Sequence, residues 1–175
     1  ADAMAKDGLF RIYSMTKPIV SVAVMLLAEE GRLGIFEPIG KYLKPLAKLQ
    51  VAHRNPGGQG YTLKPAVREI TIQDLLRHTS GLTYAFRANH VEKEYAEIER
   101  GIMDASNMEV VERLASVPLA FEPGTTWEYS RSTDVLGALV EVVSGKTLWD
   151  FLAEHILRPL GMKDTAFWAR DAQAR

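Results

Sequence analysis

The chain has 175 residues, of which 47% are hydrophobic and 25% charged, a balance that excludes disordered and fibrous proteins. The 21 Lys and Arg residues are matched by 22 Asp and Glu, so no basic excess points to nucleic acid as a partner. The chain has no Cys, which excludes disulfides, thiolate nucleophiles and zinc-thiolate sites. Its length suits one domain with a single core.

The first residues and the apolar segments bear on targeting and membranes. The opening Ala1–Ala3 is neither a basic nor an apolar leader, and no initiator Met is present, so the start looks processed, cloned or cut. The most apolar stretch, residues 19–28, is about half the length of a membrane-spanning helix, which needs about 20 residues. We therefore expect a buried helix and no membrane span. With no signal peptide in the segment, the cellular compartment stays open.

Apolar residues at helical spacing predict most elements of the first half. The predicted elements, in chain order, are a strand at 9–13, a buried helix from Ser14 that ends at Gly31, short helical turns and loop over 34–49, a loop over 55–60, a strand piece around Tyr61, and a short helix capped by Thr71 and Asp74 that ends near Thr79.

The second half also reads as mostly helical. The predicted elements are a charged, solvated helix or lid over 92–100, an amphipathic helix over 107–116 begun by Asn107, a helix over 134–143 closed by Gly145, a helix over 147–157, and a strand piece around Phe167. Strands are scarce, so the chain alone is predicted to be mainly α-helical.

The start of the first helix carries a serine and a lysine that can act together. Ser14 and Lys17 are three residues apart, so both side chains lie over one face of a helix that opens at Ser14. A serine attacks when a base takes its proton, and a lysine serves as that base when burial or cationic neighbours depress its pKa. The apolar helix supplies burial. The alternative is a chance pair, since this pattern arises about once per few hundred residues.

The residues around this pair carry a resemblance to a known family. The segment FRIYSMTKP at 10–18 closely resembles the nucleophile segment of β-lactamase-like (family VIII) carboxylesterases and class C β-lactamases. The segments LLRHTSGL at 75–82 and PLGMKDT at 159–165 resemble later segments of the same penicillin-binding-protein and serine β-lactamase superfamily. The resemblance spans nearly the whole chain and implies a serine hydrolase that works through an acyl-enzyme.

A further segment, WEYSRSTDVLG at 127–137, resembles the superfamily's second catalytic motif. The resemblance implies that Tyr129 shuttles the proton between nucleophile and leaving group, and that Ser130 and Arg131 contact the substrate. Arg131 stands where β-lactamases carry the amide side chain of a Tyr-x-Asn motif, and this departure favours an esterase over a true β-lactamase. The alternative for Tyr129 is a half-buried tyrosine whose hydroxyl is bound by a neighbour.

Other polar segments are predicted to be structural. His78 and Ser80 are two residues apart and lack a G-x-S-x-G context, so residues 78–81 are not expected to be catalytic. The Gly-Lys-Thr at 145–147 lacks the earlier glycine of a phosphate-binding loop and is predicted to end one helix and start another. The four His residues show no metal-ligand spacing, so we expect neither a metal nor another cofactor.

The resemblance implies an α+β β-lactamase/transpeptidase-like fold, in which an antiparallel sheet packs against helices. Residues 1–175 are expected to form part of that catalytic domain, the nucleophile helix and the helical lobe, with most strands missing. The N-terminal strands and the C-terminal third motif are not found, because the only Lys-Thr pair, at 146–147, is followed by Leu148. We interpret the chain as an internal part of a longer enzyme that lacks activity when isolated if the missing strands are needed.

The resemblance implies a carboxylesterase that acts on a small-molecule ester through Ser14, Lys17 and Tyr129 without a cofactor. Alternatives within the class are a β-lactamase, a D-alanyl-D-alanine carboxypeptidase and an acyltransferase, which the same residues could support. An alternative of another class is a non-catalytic ligand-binding domain of the same fold, and the missing third motif keeps it open.

Overall fold

A computed structural model describes residues 8–168, and the expectation for the opening Ala1–Ala3 lies outside them. The α-helices in this part of the chain are α1 (Thr16–Glu29), α2 (Ile72–Leu76), α3 (Glu92–Glu99), α4 (Asn107–Ala115), α5 (Ser132–Ser144) and α6 (Leu148–Leu152). The strands are β1 (Gln50–Arg54) and β2 (Tyr61–Pro65). Short 3₁₀ turns cover Tyr13–Met15, Ile39–Lys41, Lys44–Leu46, Ala85–Arg87 and Ile102–Asp104, and a π-helical turn, Ala153–Leu157, follows α6.

Helices α1 and α5 form the centre of the fold and pack against each other. The apolar residues of α1 recur at helical spacing, which places them on the one face that meets the core. The buried residues of α1 are Val20, Ala23, Val24 and Leu27, and the buried apolar residues of α5 include Val135, Leu136, Leu139 and Val140. Because the catalytic candidates lie at the starts of these two helices, this packing sets their relative position.

The predicted helix ends are largely confirmed. Gly31 and Gly145 follow α1 and α5 with φ angles of 71° and 72°, a left-handed conformation that glycine adopts without strain. Thr71 caps α2 in a capping box with Asp74, as predicted. Helix α4 begins at Asn107, but its cap is Ser106, whose side chain accepts a hydrogen bond from the backbone N–H of Glu109.

The predicted strands are only partly confirmed. A strand at 9–13 is wrong, because these residues lead without strand pairing into the 3₁₀ turn that precedes α1. Phe167 lies in a bend rather than a strand. The piece around Tyr61 is confirmed as β2, which pairs antiparallel with β1 across the loop at 55–60. Strand β1 was missed because its buried residues, Val51 and Ala52, are adjacent rather than alternating. It also contacts a distant segment, since the backbone N–H of Ala52 donates to the Leu119 carbonyl at 2.9 Å.

Asp74 is a buried carboxylate that ties α2 to the preceding loop. The Arg68 guanidinium donates to its two oxygens at 2.6 and 2.9 Å, and the Thr79 hydroxyl donates at 3.1 Å. Burial raises the pKa of Asp74, but hydrogen bonds from Arg68 and Thr71 outweigh it and leave the pKa below 3.8. The charged form is therefore the stabilising one.

Replacing Asp74 by alanine is expected to lower the free energy of unfolding by about 2–3 kcal/mol, because a helix cap and buried hydrogen bonds are lost. Arg68 stays hydrated, since 44% of its side chain is exposed. Urea unfolding measures the loss, with Asp150→Ala in the exposed cap of α6 as control, expected to cost about 1 kcal/mol. The contribution of ionised Asp74 to the free energy of unfolding is complete above the ordinary pKa of 3.8. It is lost as the pH falls through the lower pKa that Asp74 has in the folded protein. Equal losses in both variants would contradict the role of burial.

Candidate active site

Ser14 lies in the 3₁₀ turn directly before the N-terminal end of α1, and its side chain is exposed. The Lys17 ammonium donates to Ser14 Oγ at 3.3 Å, and the Tyr129 hydroxyl lies 2.5 Å from the same oxygen. The spacing of three residues places Lys17 over Ser14, as the helical geometry predicts. The structure thus brings together, on one hydroxyl oxygen, the three side chains that the sequence nominates as catalytic.

Tyr129 reaches Ser14 from the loop that precedes α5. Its ring lies between two other rings, with centroids 5.1 Å from His78 and 5.6 Å from Tyr84. The neighbouring Glu128 holds this loop, because its backbone N–H donates to the His78 carbonyl at 2.9 Å and its carboxylate accepts from Arg87 Nε at 3.0 Å. These contacts hold the loop in place, so the Tyr129 hydroxyl is directed at Ser14 by a well-packed ring.

Lys17 does not have the depressed pKa that the sequence led us to expect. Burial lowers its pKa, but hydrogen bonding and electrostatic interaction with the hydroxyl groups of Tyr129 and Tyr84 raise it, and the net result lies above 10.5. The Lys17 Nζ is 4.7 Å from the ring centroid of Tyr129 and 5.9 Å from that of Tyr84. The expectation that apolar burial decides this pKa is wrong, because two tyrosines face the amine. Lys17 is an ammonium in this arrangement.

The pKa of Tyr129 moves in the opposite direction. Burial raises it, but hydrogen bonds with Lys17 and Ser14 and the positive charge of Lys17 lower it below 10.0. A phenolate 2.5 Å from Ser14 Oγ can accept the serine proton, and the ammonium beside it stabilises the negative charge. The electrostatics therefore stabilise a phenolate at Tyr129 beside an ammonium at Lys17.

The structure does not bring Ser130 and Arg131 to Ser14. Ser130 is completely buried and lies 2.8 Å from the Ser132 hydroxyl. Arg131 Nε donates to Glu99 at 3.1 Å, and only 17% of the Arg131 side chain is exposed. The contacts with substrate that the resemblance implies for these two residues therefore remain predictions.

Two further residues lie beside the cluster and were not singled out from the sequence. Tyr84 is 8% exposed, and the Arg131 guanidinium stacks on its ring at 4.7 Å. Asp134, in the first turn of α5, lines a cavity of about 640 Å³ together with Lys17 and Tyr84. Burial raises the pKa of Asp134, although the charges of Arg131 and Lys17 oppose the shift. No local pattern marks these residues, because their importance arises only when α1 and α5 meet.

Among residues 8–168 no group of three or more His, Asp or Glu side chains is placed to hold a metal ion. Within the same residues no helix is both long and apolar enough to cross a membrane.

Comparison with known proteins relates the chain to a family. The family model described as Beta-lactamase matches residues 1–175. An uncharacterized protein of Mycobacterium tuberculosis is 39% identical over 98% of this chain and 42% of that protein. Esterase EstB of Burkholderia gladioli is 38% identical over 94% of this chain and 40% of EstB. The solved structure of EstCE1, a hydrolase with promiscuous acyltransferase activity, has a TM-score of 0.69 at 29% identity, over 89% of this chain and 39% of that one.

These similarities confirm the superfamily and the α+β β-lactamase-like fold that the motifs predict. The chain spans about two-fifths of the length of the relatives, and its described residues are mostly helical with a single hairpin, so it represents part of that fold. The match of the family model over residues 1–175 and the identity with these relatives lead to one conclusion: the chain belongs to the β-lactamase family.

Proposed function

We propose that the chain carries the acylation site of a serine carboxylesterase with Ser14 as nucleophile. The observation that carries the proposal is the convergence of Tyr129 Oη at 2.5 Å and Lys17 Nζ at 3.3 Å on Ser14 Oγ. A nucleophilic serine needs a base within hydrogen-bond reach, and the lowered pKa of Tyr129 suits that task. The role assigned to Lys17 is to hold the positive charge beside the phenolate.

In the proposed reaction, the Ser14 proton passes to the Tyr129 phenolate as Ser14 Oγ bonds to the ester carbonyl carbon. The carbon–oxygen bond to the leaving alcohol then breaks, and the departing alkoxide takes the proton from Tyr129. Water attacks the acyl–Ser14 ester in the same way, giving its proton to Tyr129, which returns a proton to Ser14 as the acid leaves. Lys17 remains an ammonium throughout. Side chains and water carry every proton in this cycle, so the proposed reaction uses no cofactor.

The position of Arg131 supports an esterase over a β-lactamase or a D-alanyl-D-alanine carboxypeptidase. The resemblance places a substrate-binding amide at this position in β-lactamases, whereas here the guanidinium pairs with Glu99 at 3.1 Å and stacks on Tyr84 at 4.7 Å. Arg131 therefore does not supply the substrate-binding amide group that β-lactamases carry at this position. Small carboxylic esters, which need less polar recognition than a peptide-like amide, are therefore the proposed substrates.

Acyl transfer to an alcohol is the second candidate. Ser14 is exposed, and the adjacent Tyr13 is 75% exposed, so an acceptor alcohol could reach the acyl group as readily as water. EstCE1 is described as a hydrolase with promiscuous acyltransferase activity, which supports this candidate. A non-catalytic binding domain is less consistent with a phenol whose pKa is lowered beside a serine.

Turnover assays separate these functions. The 175-residue chain and the longest natural form that contains it are incubated with p-nitrophenyl butyrate, with the cephalosporin nitrocefin, and with the ester plus methanol. We expect kcat/KM for the ester to exceed that for nitrocefin by about tenfold or more, with methyl butyrate as a product when methanol is present. A preference for nitrocefin would favour the β-lactamase. No turnover by either folded form would favour the binding domain.

The pH dependence of Ser14 labelling distinguishes the two candidate bases. The rate of reaction with a fluorophosphonate is expected to rise with pH through the pKa of Tyr129, which lies below 10.0 because of Lys17 and Ser14. A neutral Lys17 acting as base would instead place the rise above 10.5. Because the two groups interact, the midpoint belongs to the pair. A midpoint above 10.5 in the unsubstituted protein, or labelling of Tyr129→Phe that is as fast as that of the unsubstituted protein, would contradict the assignment of the base.

A further inference from the structure

A chain of hydrogen-bonded side chains runs behind Tyr129. His78 Nδ1 is 3.2 Å from the Ser130 hydroxyl, which lies 2.8 Å from the Ser132 hydroxyl. The Ser132 hydroxyl is in turn 2.8 Å from the Ser80 hydroxyl. The three serines are completely buried and His78 is half-buried. Buried hydroxyls in an apolar interior need partners, and here they find them in one another.

This chain of side chains, which we call the serine relay (His78, Ser130, Ser132 and Ser80), links two segments that are distant in sequence. The backbone N–H of Leu82 donates to Ser80 Oγ at 3.2 Å, which anchors the relay in the loop after α2. At the other end of the relay, Ser130 directly follows Tyr129 in the chain. The relay therefore fastens the loop that carries the catalytic phenol to a loop that plays no part in the proposed chemistry.

His78 is the member of the serine relay that touches Tyr129. Its ring centroid is 5.1 Å from that of Tyr129, with an angle of 42° between the planes. The backbone of His78 has φ 57°, a left-handed conformation that is uncommon outside glycine, although His, Asn and Asp adopt it more readily than other residues. Such a conformation persists only where the surroundings hold it, and strained residues of this kind concentrate at functional sites. Burial and the charge of Lys17 lower the pKa of His78 below 6.5, so the ring is neutral at neutral pH.

We infer that His78 is a positioning residue, which together with the buried serines fixes the ring of Tyr129 so that its hydroxyl meets Ser14. The role that Tyr129 then plays rests on the proposed function. The geometric part does not, because it concerns only where the ring lies. A misplacement of about 1 Å at a reacting group can cost about 100-fold in rate, so the relay should influence turnover without touching substrate.

The test uses substitutions that suit the backbone at position 78. His78→Gly removes the imidazole but tolerates φ 57°, so it is expected to fold, and its melting temperature checks this. His78→Asn also tolerates this backbone and keeps a polar atom where Nδ1 meets Ser130. Ser132→Ala cuts the relay at its centre. Ser116→Ala is the control, because it removes a hydroxyl bonded at 2.7 Å to Arg113, outside the relay.

Turnover of p-nitrophenyl butyrate is the first readout. We expect His78→Gly and Ser132→Ala to lower kcat by about 10- to 100-fold with KM changed by about twofold or less, because the base is misplaced while the binding surface is kept. His78→Asn is expected to recover kcat to within about threefold of the unsubstituted protein, and Ser116→Ala to leave it unchanged. A kcat that survives in both His78→Gly and Ser132→Ala would overturn the inference.

The second readout is the ¹⁹F spectrum of protein labelled with 3-fluorotyrosine, in which Tyr129→Phe identifies the Tyr129 signal. We expect this signal to shift or broaden in His78→Gly and Ser132→Ala, but not in Ser116→Ala. An unmoved Tyr129 signal in the first two variants would overturn the inference. Failure of the proposed function has a different signature, namely an unsubstituted protein without Ser14-dependent turnover, and the ¹⁹F spectrum still decides whether the serine relay holds the ring.

Discussion

Replacing Ser14 by alanine is expected to lower kcat/KM for p-nitrophenyl butyrate by about 10⁴- to 10⁶-fold, the largest effect of any single substitution in the site. The reason is that the Ser14 hydroxyl is the atom on which both Lys17 and Tyr129 converge, at 3.3 and 2.5 Å. Without it no acyl-enzyme forms, and the two partners have no group to activate. Steady-state kinetics on purified, folded protein measures the loss.

The matched control for this substitution is Ser21→Ala. Ser21 lies in α1, seven residues after Ser14, and is half-buried, so this variant removes a nearby serine hydroxyl that is outside the proposed site. We expect Ser21→Ala to keep kcat/KM within about threefold of the unsubstituted protein. Substantial activity in Ser14→Ala, with the same pH dependence as before, would mean that another residue is the nucleophile.

Replacing Tyr129 by phenylalanine is expected to lower kcat by about 10²- to 10⁴-fold, the range that general-base catalysis contributes. Phenylalanine keeps the ring contacts with His78 and Tyr84, at 5.1 and 5.6 Å, and removes only the hydroxyl. The loss therefore reports the proton transfer rather than packing. Single-turnover measurement of p-nitrophenol release shows whether the acylation step is the one slowed.

Tyr84→Phe is the control for this second substitution. Tyr84 is buried beside Lys17, but no contact joins its hydroxyl to Ser14 among the described hydrogen bonds. Its loss is expected to change kcat by less than about tenfold, because it affects only the environment of the ammonium. Equal losses in Tyr84→Phe and Tyr129→Phe would argue that the tyrosines act by holding Lys17, and that Tyr129 is not the base.

The three side chains nominated from the sequence as catalytic lie together in the structure, although their catalytic roles stay predictions. Ser14 and Lys17 meet through helical spacing alone, and Tyr129 was found through the motif at 127–137 that resembles the family. The buried helices were equally accessible, since apolar residues recur on one face of α1 and α5. The positions of these elements follow from periodicity and caps, which are properties of short segments.

Two of the features that sequence reasoning missed depend on residues that are distant in the sequence. The direction of the Lys17 pKa shift is set by Tyr84 and Tyr129, which are brought to the amine only by the packing of α1 and α5. The engagement of Arg131 depends on Glu99 and Tyr84. None of these pairings leaves a local pattern, so no spacing rule could have predicted them.

Ser14 is proposed to be an activated nucleophile, and mass spectrometry of the protein after treatment with a fluorophosphonate tests this role most directly. The measurement uses the 175-residue chain and the longest natural form that contains it, each beside Ser14→Ala. We predict a single adduct that fragment ions place on Ser14 rather than Ser21, that is absent from Ser14→Ala, and that forms more slowly in Tyr129→Phe. An adduct that persists in Ser14→Ala, or no adduct in either folded form, would contradict this role.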